Sequence, residues 1–176
     1  MSNELNRTES KYKLDVEALV QKLGSRDVAE REASRKQLEL LWSEATPALV
    51  EAMNSPRQRV RWEAAQALRR TKDPAAAPAL VHALEDDEAA IRWLAARALV
   101  ALGRDALVPL LEELEQGSGS VWLRTGAHHV LHALLRDGLA DETEPVMEAL
   151  ENLEPSVEVP VAAYHALRRI RGSIPQ

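Results

Sequence analysis

In the segment VRWEAAQALRRTK, residues 60–72, the apolar residues that keep helical spacing are Val60, Ala64, Ala67 and Leu68. They form one stripe along a helix of 3.6 residues per turn, because positions three and four apart share a face. The same pattern returns as IRWLAARALVALG at 91–103, LRTGAHHVLHALL at 123–135 and VPVAAYHALRRIR at 159–171, with a blurred copy, EREASRKQLELLW, at 30–42. Successive copies start 30, 31, 32 and 36 residues apart. A helical word recurring at that period predicts a stack of units, none of which can bury its apolar face alone.

The later stripes are Ile91, Ala95, Ala98, Leu99 and Leu102; Leu123, Ala127, Val130, Leu131 and Leu134; and Val159, Ala163, Ala166, Leu167 and Ile170. Small Ala alternates with larger residues, which lets neighbouring helices approach closely and interdigitate. The first copy is the odd one, with Glu30, Ser34 and Gln37 at stripe positions, and reads either as an end cap or as a shifted register.

A second, shorter helical phrase separates the words: KLDVEALVQKLG from 13, ATPALVEAMN from 45, AAPALVHALED from 76, ALVPLLEELEQ from 106 and ETEPVMEALEN from 142. Asp73 followed by Pro74 predicts an N-cap with proline at the first helical position, and Gly24 and Gly103 sit where helices should stop. Pro47, Pro78, Pro109 and Pro145 all fall early in these phrases, where a missing N–H does least damage. Polar stretches at 115–120 and 151–156 account for the wider later spacings. The chain therefore reads as all-α, an α-solenoid or superhelix of about five helix-turn-helix repeats. One domain over 12–172 is expected, with tails at 1–11 and 173–176.

Composition agrees. Of 176 residues, 45% are hydrophobic but only 3% aromatic, with no Phe, so the apolar material is largely Ala, Leu and Val. The absence of Cys excludes disulfides, thiolate metal sites and a Cys nucleophile. No apolar run approaches the roughly 20 residues of a membrane span, and the first residues, MSNELNRTESK, lack a signal-peptide core, which predicts a cytoplasmic protein.

The unit DPAAAPALVHALEDDEAAIRWLAARALVALG resembles the HEAT repeat, in the short bacterial form found as HEAT-like repeats of phycobilisome lyases. The residues that carry the resemblance are Pro78, Ala79 and Leu80, then Asp86 and Asp87, then Ile91 and Arg92, then Ala95, Ala96, Ala98 and Leu99. It extends over about residues 13–172. In such repeats an Arg at the start of the second helix pairs with an acidic turn residue. Arg61, Arg92 and Arg124 hold that position here, but Ser55 and Ser118 replace the acid for two of them. The resemblance also implies that second helices line a concave recognition face.

Charge divides along the same line. Second-helix segments carry 16 basic against 9 acidic residues, leaving 6 against 19 elsewhere, so the net charge of −6 conceals a basic inner wall and an acidic outer one. An acidic partner would be steered to the inner wall. Off the apolar stripe, aligned positions form three rows: Glu32, Trp62, Trp93, Thr125, Val161; Lys36, Gln66, Arg97, His129, His165; and Glu39, Arg69, Val100, His132, Arg168. Trp62, Gln66, Arg69, Trp93, Arg97, His129, His132 and His165 are the expected partner-binding residues, with Trp62 and Trp93 as an apolar platform. Trp42 and Trp122 fall near turns and are expected to pack corners.

Chemistry-bearing constellations are weak. His128 and His132 are four apart, with His165 a repeat away, but no carboxylate lies within that helix, so no metal is expected. Phosphate-cradling glycines, triad logic and an isolated carboxylate pair are all missing, so neither catalytic residues nor a cofactor are expected. The pattern favours a non-catalytic scaffold binding a protein or peptide. Two alternatives are a DNA-repair or nucleic-acid role like that of HEAT-like glycosylases, against which the net acidity argues, and a tetrapyrrole lyase or chaperone role. Oligomeric state and the partner's identity stay open. If the register is right, Ala98→Trp overpacks the seam and costs about 1–3 kcal/mol; an unchanged urea midpoint would count against it.

Overall fold

The structure is a computed structural model in which residues 15–117 and 120–172 are described. Helix is the only regular secondary structure among them. The helices are α1 over 15–22, α2 Val28–Leu40, α3 Thr46–Ala52, α4 Gln58–Thr71, α5 Ala77–His82, α6 Ala89–Leu102, α7 Leu107–Gln116, α8 Val121–Arg136, α9 Ala140–Glu151 and α10 Pro155–Gly172. Paired in chain order they give the expected all-α set of five hairpins, the α-solenoid class. They fall into two compact units divided between Ala76 and Ala77, the first with α1–α4 and the second with α5–α10.

The stripe residues are the core. Ala64 and Ala67 in α4, Ile91, Ala95 and Leu99 in α6, Ala127, Val130, Leu131 and Leu134 in α8, and Val159, Ala163 and Ala166 in α10 have no exposed surface. Of the four full stripes only Ile170 is half-buried. Burying each Leu or Val contributes about 1.5–3 kcal/mol. The Ala residues contribute less directly, but their size allows α2 to pack on α4 in the first unit, and α6 on α8 in the second.

Helix ends follow local chemistry. Asp27 caps α2, its Oδ1 accepting from the Ala29 N–H at 2.9 Å, and Ser120 caps α8 by accepting from the Leu123 N–H at 3.2 Å. Gly103 ends α6 at φ 63°, a conformation glycine adopts without strain, whereas α4 ends on Lys72 at φ 52°. Asp73 does accept from the Ala75 N–H, but what it caps is a 3-10 turn, Pro74–Ala76, that precedes α5. Two prolines lie inside helices, Pro145 deeper than expected. Helix α9 begins at Ala140, which puts Pro145 inside it, and α10 begins at Pro155, which does the same to Pro160.

Two departures matter more. The first is the weak copy of the word. Its register holds only in part: Ser34 and Leu38 are buried, with the Ser34 hydroxyl donating to the Glu30 carbonyl at 2.8 Å, but Glu30 and Gln37 are exposed. Its seam with α4 is ionic: Glu63, 5% exposed, accepts from Arg31 Nε at 3.1 Å and Arg35 Nε at 3.0 Å, and Arg35 also reaches Glu39 at 2.7 Å. The corresponding residue of α6 is Leu94, buried as an ordinary core side chain.

The second departure lies in the last hairpin. In the second unit, α5 packs on α7 and α6 on α8, first helix on first and second on second. Then the order reverses, with α9 lying against α8 and α10 lying against α7. The turn 137–139 explains it. Gly138 adopts φ 92°, the Leu139 N–H donates to the Leu134 carbonyl at 3.2 Å, and buried Leu139 pins the corner, so α9 folds straight back along α8. The expectation that every second helix shares one layer is thus corrected for α10.

Glu63→Gln should leave Arg31 without a carboxylate and Arg35 with Glu39 alone, at a largely buried site. The expected loss is about 2–4 kcal/mol in urea unfolding, little changed by added salt.

Candidate partner-binding site

Three second helices, α2, α4 and α6, are held at their first turn by an Arg. Arg31 Nη1 donates to the carbonyls of Ser25 at 3.0 Å and Arg26 at 3.2 Å, Arg61 Nη1 to that of Ser55 at 3.1 Å, and Arg92 Nη1 to those of Asp86 at 2.7 Å and Asp87 at 3.0 Å. The acceptor is backbone, which is why Ser serves as well as Asp at the turn. At the same place a side-chain oxygen holds the corner: Ser25 accepts from the Asp27 N–H, Ser55 from the Arg57 N–H and Asp86 from the Glu88 N–H. Ser118, the related position before Arg124, lies outside the described residues.

In the first unit, Trp62, Gln66 and Arg69 are half-buried along one face of α4. Arg69 Nη2 donates to Gln66 Oε1 at a long 3.4 Å, and Arg69 Nε is buried without a hydrogen-bond partner. On α2, Lys36 Nζ lies 2.9 Å from Glu32 Oε1, and that hydrogen bond, with the Lys36 charge, lowers the Glu32 pKa below its ordinary value. Trp62, Gln66 and Arg69 are thus only partly open to solvent, whereas Glu32 and Lys36 are exposed.

The second unit presents a more open surface. Trp93 is 57% exposed on α6, and the Arg97 guanidinium stacks on its ring at 4.6 Å, one helical turn on. Exposed His129 and His132 stand on the adjoining α8. Neither Ala89–Leu102 nor Val121–Arg136 contains a carboxylate, while together they hold Arg92, Arg97, Arg124 and Arg136 and three His. Gly126 permits the close seating of α8, since a Cβ there would meet Leu84 Cδ2 at 2.8 Å.

The expected rows are interrupted beyond α8. His165 is exposed, with Tyr164 edge-on at 5.4 Å, but it rides on α10, whose close neighbours are α7 and α9, so it does not join His129 and His132. The continuous basic wall ends there too. Helix α9, with Asp141, Glu142, Glu144, Glu148 and Glu151 and no basic residue, takes the place beside α8, and Glu151 Oε1 sits 3.0 Å from His128 Nε2. His132 stacks on His128 with ring centres 6.3 Å apart.

The turn tryptophans behave differently from expectation. Trp42 sits at φ 50° and is 68% exposed, because that left-handed backbone turns its side chain outward instead of into the corner. Trp122 is 48% exposed and lies under the Arg92 guanidinium at 4.4 Å. No pattern in the sequence pointed to that pair, or to Glu63.

The HEAT repeats family matches over residues 16–92 and again over 46–131, and the chain belongs to that family. No curated protein matches it. Among solved structures it is similar to a designed armadillo repeat protein in complex with a (KR)4 peptide, at 18% identity over 92% of this chain and 93% of that one, with a TM-score of 0.41. An engineered protein aligns at 21% identity over 89% and 79%, TM-score 0.40. A second designed armadillo repeat protein aligns at 19% over 92% and 93%, TM-score 0.40.

Arg92→Leu should remove both carbonyl contacts and uncover Trp122. A stability loss of about 1.5–3 kcal/mol is expected by urea denaturation, the range for hydrogen bonds from a charged donor.

Proposed function

We propose that this chain is a non-catalytic HEAT-repeat scaffold that binds a protein or peptide segment on the exposed face of α6 and α8. The observation that carries the reading is the exposed Trp93 with Arg97 stacked on it, beside His129 and His132, on two helices that hold cations and no carboxylate. A large aromatic that stays in water without burying its ring is a typical anchor of an interface, and Arg is the other residue most enriched there. The partner segment is acidic, since α6 and α8 carry exposed Arg97 and Arg136 and no carboxylate, and α9 supplies an acidic border on one side. Trp62, Gln66 and Arg69 of α4 form a second, more enclosed set in the first unit.

The test is affinity capture with the full chain, followed by titration of the captured partner. Trp93→Ala combined with Arg97→Ala is expected to weaken binding by more than about tenfold, with Trp42→Ala as an exposed control that leaves it unchanged. Affinity should also fall as salt rises. Retention of every partner by the double variant overturns the assignment. A shift of duplex DNA in a gel, or an absorbance change with added bilin, would instead support a nucleic-acid or tetrapyrrole role.

A further inference from the structure

Helix α10 carries two apolar stripes on opposite faces. Val159, Ala163, Ala166 and Leu167 are buried toward the rest of the second unit. On the other side Val157 is 61%, Val161 55% and Tyr164 43% exposed, and Leu153, one turn before them, is fully exposed. Positions 157, 161, 164 and 168 advance by four, three and four residues, the 3.5-residue repeat of a seam between two helices. Beside them is a groove of about 370 Å3 between α9 and α10, with Pro145, Ala149, Val157 and Ala162 along it and Glu148 and Glu158 among its lining.

Charge along this face is divided end to end. No Lys, Arg or His occurs between residues 137 and 164, whereas Glu154 and Glu158 flank the start of the stripe. Its far end is basic, with exposed Arg168 lying 5.9 Å from the Tyr164 ring centre. An occupant must therefore bring apolar residues followed by a cation to the Glu158 end, and a carboxylate to the Arg168 end. Helix α10 itself has that order when it runs antiparallel.

We infer that this face is the docking site for a second copy of the chain, in a two-fold dimer whose axis passes between Val161 and Tyr164. Antiparallel alignment sets Val161 against Tyr164 of the second copy. It lays Arg168 of the second copy over Val157, within reach of Glu154 and Glu158, and the two-fold repeats each contact. One helical seam is a small interface, so assembly is reversible and depends on concentration.

Sedimentation or light scattering on the full chain, from about 5 to about 500 µM, tests this. The mass should rise from 19.5 kDa toward twice that value. Val161→Glu, at an exposed position, should hold it at one chain with an unchanged thermal midpoint. Glu158→Arg and Arg168→Glu should each weaken association by at least about tenfold, because like charges then face each other twice. Mixing the two single variants in equal amounts should restore the dimer, since opposite charges meet at both ends. A wild-type mass fixed at one chain throughout, dimerisation unaffected by Val161→Glu, or no recovery on mixing each overturns the inference. So would a foreign basic helix occupying the face of a chain that stays monomeric.

Discussion

No single hairpin in this protein has enough apolar surface to fold on, because each helix of the pair buries one stripe and must share it with the next hairpin. Close approach is the constraint that follows. Ala64, Ala95, Ala127 and Ala163 have no exposed surface and occupy the same place in their helices. A larger side chain at those points would hold the layers apart and expose the Leu residues on either side. The seams therefore determine which faces remain for solvent, and the candidate binding surface is what α6 and α8 leave over after burying Ile91, Ala95, Leu99, Leu123, Ala127 and Leu131.

Polar groups set angles where the apolar seam cannot. In α2, α4 and α6 an Arg at the helix start reaches back to backbone carbonyls of its own turn, and a Ser or Asp oxygen closes the same corner. Carbonyls are present whatever the side chain, so the clamp survives the change from Asp86 to Ser55. In the first unit, the pairing of Glu63 with Arg31 and Arg35 replaces an apolar contact by a directional one. Such a site is costly to break and selective for one register, because the two oxygens of the buried Glu63 carboxylate are divided between Arg31 and Arg35.

The reversal at α9 and α10 redistributes the surface of the second unit. It removes His165 from the histidine row and puts the acidic α9 beside α8. It also leaves α10 with an exposed apolar face that regular stacking would not predict from its position in the repeat. A three-residue turn accomplishes this, since a short connection forces the following helix against the one just finished.

Helix number, helix faces and membership in the repeat family were all readable in the chain, since they depend on spacing between neighbours in sequence, and 3.6-residue periodicity is a local property. Stripe residues from Val60 to Leu167 lie in the core where spacing placed them, and Trp93, Arg97, His129 and His132 do face solvent. Which helix lies beside which was a matter for the tertiary structure. The layer taken by α10, the partners of Glu63, the backbone acceptors of Arg61 and Arg92 and the outward Trp42 depend on turn dihedrals and contacts between distant residues. Periodicity carries no record of these, because a helix shows which face is apolar but not what will cover it.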